Sequence, residues 1–174
     1  GIAGIWNDMN EPATGAISPT DMRFSGEDDG NYPHERYHNE YALLMAMATV
    51  EGLKKHDPNK RTFVLSRAGS PGIQRYAANW LGDNASRWEH LQMSLPMAMG
   101  LSLSGQPFVG ADIGGFVEPT QPELFIRWMQ CGVFYPFCRN HNDHPADQYV
   151  WSFGKATEKI CREAIELRYK LLPY

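Results

Sequence analysis

The segment Gly1-Ile2-Ala3-Gly4-Ile5-Trp6-Asn7-Asp8-Met9-Asn10-Glu11-Pro12 joins an apolar run to an acidic, polar stretch. The run from Gly1 to Trp6 has no polar alternation, which is typical of a strand buried on both faces of a parallel sheet. Pro12 interrupts the pattern and predicts a loop. Asp8 is therefore expected where a strand ends and a loop begins, beside an indole ring. Barrel enzymes keep catalytic groups at such strand ends; a helix-capping or salt-bridged Asp is the alternative.

A second stretch, Trp80-Leu81-Gly82-Asp83-Asn84, repeats this arrangement of an aromatic residue, a glycine and a carboxylate after an apolar approach. Two carboxylates at strand ends are what glycoside hydrolysis requires, because one attacks or stabilises the sugar cation while the other protonates the leaving oxygen. Aromatic walls suit sugars, whose C–H faces pack on rings while their hydroxyls need hydrogen bonds. The two stretches together indicate a carbohydrate-cleaving site.

Composition narrows the class of protein. The chain has 174 residues, 43% of them hydrophobic, and a net charge of −4. This length can bury one sizeable core, and the apolar content indicates neither a disordered chain nor a membrane protein. No basic run predicts nucleic-acid binding, and no apolar stretch has the length of a membrane-spanning helix.

Cysteines, histidines and acidic pairs give no metal or cofactor signal. Cys131, Cys138 and Cys161 form an odd set without a C-x-x-C pair, which favours free thiols in a reducing compartment such as the cytoplasm. The spacing of the histidines in 141–144 is weak for a metal, and the acidic piece at 26–30 fits no calcium loop and predicts a solvated one. The first and last residues suggest a segment of a longer protein.

Strand and helix patterns alternate along the chain. Strands are predicted at 1–6, 61–66, 77–81, 107–111 and 133–138, and helices at 35–56, 86–103, 121–132 and 157–172. Pro96 should kink or break the second helix. Alternation of this kind predicts parallel strands with right-handed crossovers, and polar residues follow nearly every strand, as in a barrel enzyme. A doubly wound open sheet is the structural alternative.

Five stretches in order give the chain a specific resemblance. They are Trp6-Asn7-Asp8-Met9-Asn10-Glu11-Pro12, Ser66-Arg67-Ala68-Gly69, Trp80-Leu81-Gly82-Asp83-Asn84, Phe108-Val109-Gly110-Ala111-Asp112-Ile113-Gly114-Gly115-Phe116 and Phe134-Tyr135-Pro136-Phe137-Cys138-Arg139-Asn140-His141. In these stretches the chain resembles glycoside hydrolase family 31, the retaining α-glucosidase family. One departure is Asn7, which stands where many relatives carry a bulkier apolar residue.

The resemblance implies a fold and an activity. The expected fold is an α/β (β/α)₈ TIM barrel, of which residues 1–174 would cover about the last half, from the fourth strand to the eighth. The segment would then be a partial catalytic domain that needs the rest of its own chain. The implied activity is release of α-glucose from the non-reducing ends of α-glucoside oligosaccharides by double displacement, with no cofactor.

Residue by residue, the resemblance matches Asp8 to the nucleophile and Asp83 to the general acid and base. In a retaining enzyme these two carboxyl groups lie about 5–5.5 Å apart. Arg67 and His141 resemble binders of sugar hydroxyls, and Arg67 and Arg139 are candidates for keeping Asp8 ionised. The residues matching the family's substrate-binding positions are Trp6, Met9, Arg67, Trp80, Asp112, Phe116, Arg139 and His141.

Three alternatives stay open at this level. An α-xylosidase or related α-glycosidase of the same family is the nearest, although the Asp-Met-Asn-Glu-Pro form at 8–12 favours glucosides. A non-catalytic carbohydrate-binding barrel would be expected to have lost one carboxylate, and both are present. A dehydrogenase is disfavoured because 110–115 lacks the dinucleotide-binding glycine spacing.

Overall fold

The computed structural model describes residues 2–24 and 32–174, which form two compact units, Gly1–Asn79 and Trp80–Tyr174. The acidic piece at 26–30, predicted as a solvated loop, lies outside the described residues. Over the described ranges, no helix has both the length and the apolar character needed to cross a membrane.

The first unit is built on short parallel strands beside one long helix. Its elements are β1 (Ile5–Asn7), β2 (Arg23–Phe24), β3 (Tyr32–Pro33), α1 (His34–His56), β4 (Val64–Ser66) and β5 (Ala78–Trp80), with 3₁₀ turns at Pro19–Asp21 and Ile73–Arg75; the last residue of β5 belongs to the second unit. β4 lies between β1 and β5 and is parallel to both, so Leu65 faces Trp6 on one side and Ala78 on the other. β2 and β3 form a small antiparallel pair.

Small residues on α1 form the core of the first unit. Ala42, Ala46 and Val50 recur every four residues, and all three are buried against Val64 and Ile73. A spacing of four places side chains on one face of a helix, and alanines allow that face to approach the strands closely. The carboxyl ends of β1 and β4 are thereby held beside a rigid helix.

The second unit alternates helices with two-residue strands. Its elements are α2 (Trp88–Leu103), β6 (Val109–Gly110), β7 (Asp112–Ile113), α3 (Pro122–Gly132), β8 (Arg139–Asn140) and α4 (Lys155–Leu171). β7 and β8 are parallel, with Asp112 opposite Arg139. The core contains the fully buried Phe125 and Trp128 of α3 together with Ile113 and Cys161. The predicted alternation of strands and helices is therefore observed, while no closed ring of strands occurs in the ranges described.

All five predicted strands differ from the structure in their bounds, and one of them does not form. β1 starts at Ile5 rather than at residue 1, and it ends at Asn7, one residue beyond the predicted end. The strand predicted at 133–138 is wrong, because α3 passes into turns closed by Phe134 N–H to Cys131 O at 3.1 Å and Tyr135 N–H to Gly132 O at 3.0 Å. Val133 and Tyr135 of this run are buried in the core from turns, so their hydrophobicity did not require an extended backbone.

Pro96, predicted to kink or break its helix, does not break it. α2 runs from Trp88 to Leu103 with Pro96 inside it. An internal proline costs a helix about 3 kcal/mol, because it removes a hydrogen bond and crowds the preceding turn. Leu91 and Ala98, on either side of the proline, are buried in the core of the second unit. This packing offsets the local cost.

Candidate active site

Asp8 follows the last residue of β1 and lies beside a cation. Its exposed carboxylate accepts a hydrogen bond from the backbone N–H of Met9, at 2.9 Å, and Nη1 of Arg67 lies 3.6 Å from the same Oδ1. Nε of Arg67 donates to Oε1 of Glu11 at 2.7 Å. One guanidinium therefore contacts both carboxylates of the segment 8–11.

A buried amide sets the position of this guanidinium. Asn10 is fully buried; its Nδ2 donates to Oγ of Ser66 at 2.8 Å and its Oδ1 accepts from the N–H of Ala68 at 2.9 Å. The N–H of Arg67 donates to the carbonyl of Asn7 at 3.0 Å. The loop after β1 is thus bound to residues on both sides of Arg67. Sequence reasoning missed Asn10 and Ser66, although Asn10 lies inside the quoted motif.

Apolar surface flanks Asp8. Trp6 is 42% exposed and Met9 is 54% exposed, with a positive φ of 58°. Nη1 of Arg67 lies 3.6 Å from the Met9 sulfur. Asn7 points the other way, since successive strand residues face opposite sides, and its buried amide donates to Oγ1 of Thr49 on α1 at 3.1 Å. The departure at Asn7 therefore concerns packing on α1.

Asp112 and Arg139 form the central ion pair of the second unit. Asp112 is fully buried at the start of β7, and Arg139 faces it from β8. Nε and Nη2 of Arg139 donate to the same oxygen, Oδ1, at 2.9 and 2.6 Å. Burial raises the pKa of Asp112 to about 6; the charge and hydrogen bonds of Arg139 oppose this rise, and the negative charge of Asp83 adds to it.

Two aromatic rings support Arg139 from its other faces. Its guanidinium carbon lies 5.2 Å from the ring centroid of Trp80 and 5.5 Å from that of Phe137. Both distances are within the range of a cation–π interaction. Trp80 is only 3% exposed. In this unit its ring acts as a support for Arg139, and the sugar-facing role suggested by the sequence stays a prediction.

Asp83 is exposed at the tip of a short turn after β5. Gly82 precedes it with a φ of 81°, a conformation that favours glycine, and the N–H of Asn84 donates to the carbonyl of Gly82 at 3.0 Å. The amide of Asn84 is buried and donates to the carbonyl of Asp112 at 2.9 Å.

Phe116 and His141 form a second pair in this unit. Their rings stack with centroids 5.1 Å apart and planes 22° apart. The N–H of Asp143 donates to the carbonyl of Phe116 at 3.0 Å, which joins the loop of His141 to that of Phe116. An apolar side chain and an imidazole thus lie side by side, and their contact with a sugar stays a prediction.

Gln148 is a further residue that sequence reasoning missed. Its buried Nε2 lies 3.1 Å from the carbonyls of Ile113 and Gly115 and 3.2 Å from Oδ1 of Asn140, and the amide of Asn140 donates to the Gln148 carbonyl. The ends of β7 and β8, which lead to Phe116 and His141, are thereby joined. A polar residue in a loop rich in polar residues gives no sequence signal of this kind.

Each unit collects its own share of the predicted site. The first unit brings together Asp8, Met9 and Arg67, with Trp6 next to them on β1. The second unit brings together Asp112, Arg139 and Trp80, and the charge of Asp83 acts on Asp112. In the same unit Phe116 stacks on His141. Within the residues described, no cluster of three or more His, Cys, Asp or Glu side chains could hold a metal. His144 instead contacts Oε1 of Gln148 at 3.3 Å.

Comparison with known proteins assigns the family. The family model described as Glycosyl hydrolases family 31 TIM-barrel domain matches residues 1–174. The chain belongs to glycoside hydrolase family 31. The α/β barrel class predicted from the sequence is confirmed by this match and by the likeness to solved family 31 structures.

Individual relatives cover the whole chain. Alpha-glucosidase 2 of Bacillus thermoamyloliquefaciens is 51% identical over 100% of this chain and 22% of its own length. The crystal structure of the family 31 alpha-glucosidase from Bacteroides thetaiotaomicron superposes with a TM-score of 0.86 at 46% identity, over 100% of this chain and 28% of the other. A family 31 dextranase of Flavobacterium johnsoniae gives 0.88 at 33% identity, over 100% and 22%. The chain spans about a fifth of the length of the curated relatives it matches.

Proposed function

We propose that the protein is a retaining α-glucosidase that removes α-glucose from the non-reducing ends of α-glucosides. The observation that carries this proposal is the pair of exposed carboxylates, Asp8 and Asp83, each placed just after a strand in a chain that belongs to family 31. The names of relatives 51% and 46% identical to the chain, both α-glucosidases, support the substrate class.

Asp8 is the proposed nucleophile. In the first half-reaction one of its oxygens attacks the anomeric carbon, the bond from that carbon to the leaving oxygen breaks, and a glucosyl ester forms. The attack requires an ionised carboxylate. Arg67 places a cation 3.6 Å from Oδ1, and the hydrogen bond from Met9 N–H fixes the carboxylate's orientation.

Asp83 is the proposed acid and base. It gives its proton to the leaving oxygen in the first half-reaction; in the second it takes a proton from the water that cleaves the ester, so that it ends as it began. Its exposed position on a glycine-containing turn leaves the carboxylate accessible to substrate. Arg67 and His141 are the proposed partners of sugar hydroxyls, with Trp6, Met9 and Phe116 as apolar walls.

The proposed architecture places residues 1–174 in the later half of a (β/α)₈ barrel, beginning at its fourth strand. The parallel order of β1, β4 and β5, the alternation with helices and the small share of each relative that is matched support this placement. A complete barrel has about 250 residues. The remaining strands would come from the rest of the protein's own chain.

A fluorinated glucosyl inactivator tests the proposal in the full-length protein. Such compounds trap the glucosyl ester, because fluorine slows its hydrolysis more than its formation when the leaving group is good. Peptide mass mapping is expected to place the label on Asp8, and Asp8→Ala should lose turnover even of activated aryl α-glucosides. A label on Glu11 or Asp112 would overturn the assignment.

A matched control separates chemistry from folding. Glu11 shares the same guanidinium with Asp8, so Glu11→Gln disturbs the local charge without removing Asp8. Labelling of Asp8 should persist in this variant at a lower rate.

A second measurement separates a glucosidase from an α-xylosidase. It compares the turnover of maltose with that of an aryl α-xyloside by the full-length protein.

A further inference from the structure

We infer that Asn84 is a positioning residue that holds the Asp83 turn in its working orientation through its buried side-chain amide. The inference rests on the proposed function, in which Asp83 is the acid and base. Asn84 has no carboxylate, thiol or imidazole, so it can transfer no proton in the reaction. Its effect would come through the geometry of the residue before it.

Both ends of the Asp83 turn are fixed to one segment of the chain. On the N-terminal side, the N–H of Leu81 donates to the carbonyl of Gly110 at 3.0 Å. On the C-terminal side, Nδ2 of Asn84 donates to the carbonyl of Asp112 at 2.9 Å. Gly110 and Asp112 lie on β6 and β7, two residues apart and both buried. The turn that carries Asp83 is therefore hydrogen-bonded at both of its ends to the buried segment 110–112.

The amide of Asn84 also organises the loop that carries Phe116. Its Oδ1 accepts from the N–H of Phe116 at 3.2 Å, and its backbone carbonyl accepts from the same N–H at 2.7 Å and from Val117 N–H at 3.1 Å. A Cβ on Gly115 would lie 2.5 Å from the backbone of Ser86, so this loop approaches the segment after Asn84 too closely for any side chain. One carboxamide thus connects the Asp83 turn, the Asp112 strand and the Phe116 loop.

Displacing the Asp83 turn should affect one chemical step, the protonation of the leaving group. A general acid must lie within about 2.6–3.2 Å of the oxygen it protonates, so a displaced turn weakens protonation of the leaving group before it weakens sugar binding. Poor leaving groups depend on that proton, whereas activated ones leave without it. Loosening Asn84 should therefore act selectively on substrates with poor leaving groups.

The test compares kcat/KM for maltose and for an activated aryl α-glucoside in the full-length protein. This parameter reports the steps up to ester formation, which include proton donation by Asp83. Asn84→Ala is expected to lower it at least tenfold more for maltose than for the aryl substrate. Asn84→Asp keeps the shape and the acceptor for Phe116 N–H but, when ionised, cannot donate to Asp112. Asn84→Asp should therefore show the same selectivity for poor leaving groups, and it replaces Asn84→Ala in the test if the alanine variant does not fold.

Ser94→Ala is the control for general loosening. Ser94 is also buried in the same unit, and its Oγ shares a 2.6 Å hydrogen bond with the hydroxyl of Tyr135. This variant loses a buried hydrogen bond away from the Asp83 turn and should show no dependence on the leaving group. Equal losses on both substrates in the Asn84 variants, or the same selectivity in Ser94→Ala, would overturn the inference.

A separate variant distinguishes failure of the inference from failure of the proposed function. Asp83→Ala should itself be selective for poor leaving groups and recover with azide. If it is not, the acid and base assignment is wrong. If Asp83→Ala behaves as expected while the Asn84 variants are not selective, only the positioning role is overturned.

Discussion

The guanidinium of Arg139 donates two hydrogen bonds to a single oxygen of Asp112, from Nε at 2.9 Å and from Nη2 at 2.6 Å. The other oxygen, Oδ2, is buried and accepts no hydrogen bond from the described residues. A bidentate pair would have used both oxygens. The one-sided geometry leaves part of the desolvation cost of this carboxylate uncompensated, which is why burial raises its pKa to about 6 despite the adjacent cation.

Stability should fall between about pH 4 and pH 6.5 because of Asp112. Its folded pKa, about 6, lies above the ordinary value of 3.8, so the folded protein binds the proton more tightly than the unfolded chain does. The resulting stabilisation is fully present below about pH 4 and is lost as the pH rises through the folded pKa, by about 3 kcal/mol in total. Denaturant unfolding at several pH values measures it.

Asp112→Asn is the comparison for this pH effect, since the amide keeps an acceptor for Arg139 but cannot ionise there. The difference in unfolding free energy between the native protein and this variant should change across that pH range. Arg139→Gln in the Asp112→Asn background removes the cation that would otherwise be left without its charge partner. Parallel pH profiles for native protein and variants would contradict the prediction.

Arg67→Lys should lower kcat/KM although the charge is kept. The guanidinium contacts Glu11 through Nε and Asp8 through Nη1, at 2.7 and 3.6 Å, and one ammonium group cannot reproduce this fork. Losing a charge-assisted hydrogen bond costs about 1.5–3 kcal/mol, which corresponds to roughly 10- to 100-fold. Steady-state kinetics on maltose measure the loss. Activity equal to that of the native protein would remove Arg67 from the site.

Asp83→Ala should impair maltose far more than an activated aryl glucoside. Added azide should restore turnover of the activated substrate and yield α-glucosyl azide, because azide attacks the β-linked glucosyl ester with inversion and needs no general base. NMR of the products measures both the amount of glucosyl azide formed and its anomeric configuration. Asp143→Ala, which changes an exposed carboxylate in the same unit, is the control and should show no azide effect.

His141→Ala should lower kcat/KM by about one to two orders of magnitude, since sugar hydroxyls and their remaining partners would be left unpaired at about 1–3 kcal/mol. The stacked ring of Phe116 would lose its neighbour as well. Phe116→Leu separates the two effects, because it removes the stack and keeps the imidazole. A kinetically silent His141→Ala would place His141 outside the sugar site.

Two glycine substitutions should change stability in opposite directions. Gly114→Ala meets a φ of 91° and places a Cβ 2.5 Å from Nε2 of the buried Gln148, so a loss of about 2 kcal/mol or more is expected. Gly52 lies inside α1 with open space around its Cβ position, and Gly52→Ala should stabilise by about 0.5–1 kcal/mol. Thermal and denaturant unfolding measure both. If Gly114→Ala left the free energy of unfolding unchanged, the contact between Gln148 and the backbone of Gly114 would not contribute to stability.

Helices were the part of the fold most readily predicted from sequence. α1, α3 and α4 differ from their predicted bounds by two residues at most, because their periodic patterns are long. The strands have only two or three residues each, so their ends depend on which neighbour supplies hydrogen bonds. The run 133–138 shows the difficulty: its residues are apolar enough for a strand, but Val133 and Tyr135 are buried by packing after α3.

The sequence alone was enough to predict the family and the barrel class, which comparison confirmed, and to name candidate catalytic and binding residues, because motifs such as Trp6–Pro12 and Trp80–Asn84 are local and specific. The tertiary structure decided which of these groups form ion pairs and hydrogen bonds with each other. Arg67 reaches Asp8 and Glu11, Arg139 is committed to Asp112, and the amides of Asn10, Asn84 and Gln148 join loops distant in the chain. A buried amide must satisfy its donors and acceptors wherever the fold provides partners, and those partners lie 28 to 58 positions away for Asn84 and Asn10. No pattern in neighbouring residues records such a distance.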